Sequence, residues 1–267
     1  MYQTTYHRPS SLAEVEKLLS DDAALLAGGM TLLPTMKQRL ASPSDLIDIG
    51  RLKELQGISE EGGKVAIGAG TKHFETATSD LVKRRIPALA KLAGMIGDPH
   101  VRHMGTMGGS VANADPAADY PSAVLALNAT VVTNRGSHQG EDFFQGMFTT
   151  ALQPGEIITR FLYPVPQRAA YQKFRNPASR YAMVGVFVAD FGGGNVRVAV
   201  TGAAPSVFRQ KEMEAKLKAN FSPDAVAGVK QSADGLNSDI HGSAEYRAHL
   251  VTVMAKRAVA EILGVQA

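Results

Sequence analysis

The chain has 267 residues, of which 45% are hydrophobic, and a formal net charge of +3 at pH 7. It is long enough for two domains, or for one large domain with a sizeable core, and its mild, scattered charge does not indicate a nucleic-acid partner. It contains no cysteine, which excludes disulfides, thiol catalysis and a cysteine-ligated iron–sulfur cluster within this chain.

Two further absences indicate where the protein works. No apolar run approaches the ~20 residues that a membrane helix needs, so we expect no membrane span. Residues 1–9 lack a basic segment followed by an apolar one, so we expect no secretory signal. We therefore expect a cytoplasmic protein whose redox chemistry, if any, uses a bound organic cofactor or a cluster on a partner.

The first part of the chain predicts helices and strands in alternation. Ser11 and Glu14 fit a capping box ahead of a helix, and the apolar run 23–26 stops at two glycines, as a buried strand before a tight loop does. The following predicted elements are a helix at 32–39, strands at 46–49 and 65–69, and helices at 74–82 and 87–95. This order predicts a sequential α/β arrangement.

Residues 97–121 are rich in Gly, Pro, Asp and His and show little periodicity. We expect an irregular stretch there, and stretches of this length in compact domains are usually functional. A helix at 122–127 and strands at 130–133 and 156–162 are predicted next. A domain boundary is predicted near residues 164–166.

Beyond that boundary the pattern changes to a smaller antiparallel α+β arrangement. Three glycines and an asparagine at 192–195 give a strong hairpin signal between two strands. The predicted elements are strands at 171–175, 183–191 and 196–200 and helices at 208–217, 222–229 and 245–263.

Two loops combine paired glycines with a hydroxyl residue: the first loop, residues 27–32, and the second loop, residues 105–110. Glycine permits a positive φ and a close approach to a ligand. Successive N–H groups can then converge on phosphate oxygens, with Thr or Ser as additional donors. Either loop could instead simply turn the chain. Neither matches G-x-G-x-x-G or the Walker pattern, which disfavours a Rossmann site and a P-loop.

The segments that flank the second loop, 96–103 and 113–121, make the pattern specific. Together with both loops they resemble the FAD-binding medium subunit of the molybdenum hydroxylases, the group of xanthine dehydrogenases and aerobic carbon monoxide dehydrogenases. Residues 155–158 and 173–182 also fit. The resemblance covers nearly the whole chain.

The resemblance implies an α+β fold in three parts. Residues 1–166 would form an FAD-binding region of the PCMH (vanillyl-alcohol-oxidase-like) type. Its two subdomains, about 1–56 and 57–166, would clamp an extended FAD. Residues 167–267 would form a small antiparallel α+β C-terminal domain that flanks the flavin.

The resemblance also implies roles for individual residues. Both loops would surround the pyrophosphate, and Asp119 would bind the ribose or ribityl hydroxyls. Ile96 would pack near the adenine and Ile158 under the flavin ring, while residues 175 and 181 would lie beside the isoalloxazine. The implied cofactor-binding residues are Ala27, Gly28, Gly29, Met30, Thr31, Leu32, Ile96, Thr106, Met107, Gly108, Gly109, Ser110, Asp119, Ile158, Arg175 and Tyr181.

Some positions allow other interpretations. Ser110 stands where many members carry Asn, and Met30 where a smaller or polar residue is common, which leaves the detailed contacts open. Tyr181 could be a buried strand-end residue or could cover the flavin. His100 and His103 have no third metal ligand at a recognisable spacing, so no metal site and no catalytic residue is assigned.

The resemblance implies an oxidoreductase subunit for electron transfer. A large partner would carry the molybdenum cofactor and hydroxylate the substrate, and a small partner would carry two [2Fe-2S] clusters, in a heterotrimer or a dimer of heterotrimers. Electrons would reach FAD on this chain and leave to an external acceptor. The alternatives are a stand-alone FAD-dependent oxidase or dehydrogenase of the same fold, and a non-catalytic nucleotide-binding or assembly protein.

Overall fold

A computed structural model describes residues 1–266 of the chain. The helices are α1 (Leu12–Leu18), α2 (Leu32–Lys37), α3 (His73–Thr78), α4 (Asp80–Arg85), α5 (Pro87–Gly94), α6 (Pro99–Met104), α7 (Met107–Asn113), α8 (Tyr120–Ala126), α9 (Gly140–Phe143), α10 (Lys211–Ala219), α11 (Pro223–Ala227) and α12 (Ala244–Leu263). Within this described part, no helix is both long and apolar enough to cross a membrane.

The strands are β1 (Thr5–His7), β2 (Ala23–Leu26), β3 (Asp45–Asp48), β4 (Ile58–Glu61), β5 (Lys64–Gly68), β6 (Thr130–Thr133), β7 (Ser137–Gln139), β8 (Phe144–Gly146), β9 (Thr149–Thr150), β10 (Ile158–Tyr163), β11 (Arg168–Arg175), β12 (Ala182–Asp190), β13 (Val196–Thr201) and β14 (Phe208–Arg209). They form an α+β fold in which a parallel sheet is followed by antiparallel sheets.

The first sheet is parallel, in the order β1-β3-β2. Helix α1 covers it with the fully buried Val15, next to Ile47 of β3. The predicted cap is present, because the Ser11 hydroxyl accepts the Glu14 N–H. The Glu14 carboxylate accepts the N–H of Ser10 at 2.7 Å, one residue earlier than a capping box requires. The first loop, residues 27–32, begins where β2 of this sheet ends.

The second sheet is antiparallel, in the order β4-β5-β10-β6-β7. Strand β10 lies at its centre and pairs with β5 and β6. The largest core packs here, between these strands and helices α5, α7 and α8. The second loop lies against the end of β5, so this core supports it from behind.

The third sheet is antiparallel, in the order β11-β12-β13-β14. Every residue of β12 is buried, because α8 covers one face of the sheet and α12 the other. The predicted hairpin at 192–195 is confirmed: the Phe191 N–H donates to the Asn195 carbonyl, the Asn195 N–H donates to the Gly192 carbonyl, and its three glycines have positive φ.

Three predicted elements were wrong. Residues 97–121 are not irregular, because α6 and α7 lie within them, capped by Asp98 and Thr106. These helices have two turns at most, too few to show a 3.6-residue period. The helix predicted at 74–82 is split at Ser79 into α3 and α4. The one predicted at 208–217 begins as β14, and α10 follows.

Glu156 ties β10 to the neighbouring strands. Its carboxylate lies 2.6 Å from Thr133 Oγ1 and 2.8 Å from His138 Nε2, and it accepts the Gln153 N–H at 2.9 Å. Burial acts to raise its pKa, but these hydrogen bonds outweigh burial and lower the pKa of Glu156 to about 2. The charged form is therefore the one that the fold stabilises.

We expect Glu156→Gln to lower the free energy of unfolding at pH 7 by roughly 2 kcal/mol. Because the pKa is depressed in the folded state, this contribution is complete above about pH 4.5 and is lost as the pH falls towards about 2. Urea unfolding at pH 7 and pH 3 should thus show a smaller difference between variant and wild type at pH 3. The matched control is Glu61→Gln, since Glu61 forms only an exposed ion pair with Arg160. An equal difference at both pH values would contradict the assignment.

Candidate functional site

The two glycine loops are in direct contact. A Cβ built on Gly28 would lie 2.7 Å from the Cα of Gly105 and would also strike the Met104 carbonyl oxygen. No side chain fits there, so Gly28 is required for the loops to meet. Gly28 and Gly105, which are 77 positions apart in the sequence, are therefore brought together by the fold.

The first loop carries free backbone donors. It leaves β2, and Gly29 takes a φ of +72° before α2 begins. Within residues 1–266, the N–H groups of Gly28, Gly29, Met30 and Thr31 donate to no protein acceptor. Successive N–H groups without protein partners, close to a helix start, suit a phosphate group.

The second loop differs from the expectation that its N–H groups converge on phosphate. The N–H groups of residues 107–110 are all taken, by the carbonyls of Thr71, Ala69 and Thr106 and by the Thr106 hydroxyl. Gly108 lies against Ala69, where an added Cβ would come within 2.6 Å of the alanine Cβ. This loop can therefore offer a ligand its surface and the partly exposed Ser110, but few backbone donors.

Asp119 is the only charged residue among the buried predicted site residues, with 4% of its surface exposed. Its Oδ1 accepts the Tyr171 hydroxyl at 2.5 Å, and its Oδ2 accepts Lys173 Nζ at 2.9 Å. Burial raises the pKa of Asp119 above its ordinary value, while Lys173 and Tyr171 act in the opposite direction. The carboxylate is thus fixed in place by two side chains of β11.

The isoleucines predicted near the cofactor have different surroundings. Ile96 is partly exposed and packs on the edge of the largest core. Its carbonyl accepts Arg102 Nη1 at 2.9 Å, and the preceding Met95 carbonyl accepts Lys173 Nζ at 3.2 Å. In the sequence, Ile96 therefore directly follows the residue whose carbonyl contacts Lys173, the partner of Asp119. Ile158 is 5% exposed and lies inside the core, so its contact with a cofactor stays a prediction.

Arg175 and Tyr181 flank a short loop, residues 176–180, between β11 and β12. Asn176 organises this loop, because its Oδ1 accepts the N–H groups of Ala178 and Ser179. Tyr181 is 50% exposed, so the interpretation as a buried strand-end tyrosine is wrong. Its ring is available to a ligand.

Two residues of this site, Tyr171 and Lys173, were not predicted as site residues. The strand alternation carried a signal, since residues two apart on a strand share a face. A lysine on the buried face of a strand needs a carboxylate partner. The partner, Asp119, lies 54 residues away in the sequence and could not be named from that pattern.

The free N–H groups of the first loop are donors that suit a phosphate, and the Asp119 carboxylate is an acceptor that suits a hydroxyl. Among residues 1–266, no group of three or more His, Cys, Asp or Glu side chains could hold a metal ion. These donors and acceptors are of the kinds that an organic dinucleotide such as FAD requires.

The chain matches two family models. Residues 2–166 match the FAD binding domain in molybdopterin dehydrogenase, and residues 169–262 match the CO dehydrogenase flavoprotein C-terminal domain. It is 36% identical to the carbon monoxide dehydrogenase medium chain of Hydrogenophaga pseudoflava, over 95% of each chain. It is 35% identical to the glyceraldehyde dehydrogenase medium chain of Sulfolobus acidocaldarius, over 97% of this chain and 98% of that one.

The fold is also similar to solved structures. The reconstituted CO dehydrogenase from Oligotropha carboxidovorans matches with a TM-score of 0.91 and 33% identity, over 99% of each chain. A quinoline 2-oxidoreductase from Pseudomonas putida 86 matches with a TM-score of 0.88 and 29% identity, over 98% of each chain. Both glycine loops and the Asp119 network lie within these matched regions.

Proposed function

The chain belongs to the family of FAD-binding medium subunits of molybdenum hydroxylases, and from that premise we propose that it passes electrons from partner iron–sulfur clusters through FAD to an external acceptor. The observation that supports this most is the contact between the two glycine loops beside four free N–H groups. When bound, FAD supplies the two-electron redox chemistry.

The residues of this chain bind and orient the cofactor. The N–H groups of residues 28–31 donate to the pyrophosphate, whose negative charge they stabilise. Asp119 accepts hydrogen bonds from the ribose or ribityl hydroxyls, and Tyr171 and Lys173 keep its carboxylate in position. The half-exposed Tyr181 covers the ring system and limits access of water.

No side chain in this arrangement acts as a nucleophile or a general base. The substrate would be hydroxylated at a molybdenum cofactor on a large partner, and two [2Fe-2S] clusters would lie on a small partner. The chain has no cysteine, so any cysteine-ligated cluster in the pathway must belong to another chain. The relatives that share its full length are themselves medium chains, which supports this division into subunits.

The proposal predicts the behaviour of the purified chain. We expect about one FAD for each polypeptide, and no oxidation of a hydroxylase substrate by the isolated polypeptide. Purification of a tagged chain from its own cells should yield two further chains, a long one and a short one that is rich in cysteine. Addition of substrate to that complex should bleach the flavin absorbance near 450 nm.

Two results would contradict this function. Steady turnover of a substrate by the isolated, FAD-loaded polypeptide would favour the stand-alone flavoenzyme. Purification of a folded chain that neither retains nor rebinds FAD would favour the non-catalytic alternative.

A further inference from the structure

A cavity of about 480 Å³ lies beside the proposed FAD site. Its walls come from residues 115–117, the β8–β9 turn at 147–148, the loop and strand at 176–183, the turn at 237–241, and Arg247. Its size is typical of a site for a small organic molecule. Residues 115–117 directly precede Asp119, and the Ala117 carbonyl accepts the Ala182 N–H. One wall of the cavity is therefore continuous with the Asp119 segment.

The mouth of the cavity is lined by large apolar side chains that face solvent. Met147 is 50% exposed, Phe148 is 58% exposed and Tyr181 is 50% exposed. Phe148 has a φ of +53°, and its N–H donates to the Ala114 carbonyl. A phenylalanine in this backbone conformation is uncommon. Apolar groups gathered around one opening are typical of a binding site.

Asn176, in the wall, has a side-chain donor that the protein does not use. Asn176 is 7% exposed, and its Oδ1 accepts the N–H groups of Ala178 and Ser179 at 2.9 Å and 3.1 Å. These two bonds fix which end of the amide is oxygen. Its Nδ2 donates to no protein acceptor within residues 1–266, and Asn176 is one of the residues that line the cavity. A ligand with a carbonyl oxygen would satisfy it.

The charges of the cavity do not suit a phosphate. Arg247 is the only lysine or arginine in its lining. Its Nη2 is already bonded to Asp239 at 2.7 Å and its Nη1 to the carbonyls of Met183 and Gly202, while its buried Nε has no partner among the described residues. Asp115 accepts only the Ala117 N–H and leaves an unneutralised carboxylate in the wall. A pyrophosphate would therefore meet the Asp115 carboxylate and an arginine whose charge is already paired with Asp239.

We propose that this cavity binds the external electron acceptor and that the acceptor is a small uncharged quinone. This rests on the proposed function. The quinone ring packs between Tyr181 and Phe148, and one carbonyl oxygen accepts Asn176 Nδ2. A quinone takes two electrons and two protons from the reduced cofactor, FADH2, and its two carbonyl oxygens become hydroxyls. FADH2 returns to FAD, so no further reactant is needed.

The test is calorimetric titration of the FAD-loaded protein with 2-methyl-1,4-naphthoquinone and, separately, with NAD. We expect the quinone to bind and NAD not to bind. Phe148→Asn removes the ring but suits the positive φ. Asn176→Asp keeps the oxygen that accepts from Ala178 and Ser179 and replaces the free donor with a negatively charged acceptor oxygen. Each variant should weaken quinone binding by about tenfold.

The matched control is Ile240→Ser. Ile240 is 96% exposed and lies in the same turn as Asp239 but does not line the cavity, so quinone binding should not change. Wild-type affinity in both Phe148→Asn and Asn176→Asp, or NAD binding that these variants weaken, would overturn the proposal. The flavin absorbance near 450 nm distinguishes failure of the proposed function from failure of this inference. A chain without FAD contradicts the proposed function. A chain that binds FAD but not the quinone contradicts only this inference.

Discussion

Gly29→Val is expected to abolish retention of FAD. Gly29 has a φ of +72°, a conformation in which a β-branched side chain is strained. A Cβ at this position would also lie 2.8 Å from Leu33 Cδ1. The loop must shift to relieve both conflicts, and the free N–H groups of residues 28–31 would then no longer converge on one phosphate. We expect affinity for FAD to fall at least ~100-fold, or about 2.7 kcal/mol.

The measurement is the ratio of FAD to protein after gel filtration, from absorbance near 450 nm and 280 nm. The matched control is Gly63→Val. Gly63 has nearly the same φ, +77°, in the β4–β5 turn, and an added Cβ would meet nothing within 4 Å. Gly63→Val therefore introduces the same backbone strain away from the site, and this variant should retain FAD. If Gly29→Val retained a full complement of FAD, the first loop would not be part of the FAD site.

Gly28→Ala tests whether FAD binding requires the contact between the two glycine loops. An added methyl group would be forced against Gly105 Cα, 2.7 Å away, and would separate the two loops. Because backbone atoms cannot rotate aside as a side chain can, a loss of FAD similar to that of Gly29→Val is expected. Ala substitution at Gly94, where the nearest atom to an added Cβ is 3.8 Å away, should have no such effect.

Lys173→Met is expected to destabilise the protein by about 3–5 kcal/mol. Lys173 has no exposed side-chain surface, and its Nζ lies 2.9 Å from Asp119 Oδ2. Removal of the ammonium leaves a buried carboxylate with only the Tyr171 hydroxyl as a partner. Asp119 would then be protonated or would draw in water, and FAD binding should weaken with it.

Urea unfolding of the FAD-free protein measures this effect without a contribution from the ligand. Lys91→Met is the matched control, because Lys91 pairs with Glu261 in an exposed ion pair and should contribute no more than about 1 kcal/mol. The double variant Asp119→Asn with Lys173→Met should recover part of the loss, since no buried charge remains. Equal effects of Lys173→Met and Lys91→Met would contradict this account.

The sequence predicts best the features that are fixed locally. The Ser11 cap, the 192–195 hairpin and the glycine turn at the first loop depend on residues within a few positions of one another. Each was predicted because one residue type satisfies a specific backbone requirement.

Features that depend on distant contacts were predicted poorly. Two N–H groups of the second loop donate to the carbonyls of Ala69 and Thr71, just after β5. No sequence pattern within the loop predicts these hydrogen bonds. The Asp119–Lys173 pair joins the residue before α8 to β11 of the third sheet. Helices α6 and α7 were missed because caps, rather than periodicity, define helices of one or two turns.

The Asp119 network also bears on how such chains can evolve. The carboxylate belongs to the region that matches one family model, while its two partners, Tyr171 and Lys173, belong to the region that matches the other. In a chimera that joins this first half to a second half without the tyrosine and the lysine, the buried Asp119 carboxylate would have no partner. The three positions therefore act as one unit across the boundary between the two matched regions.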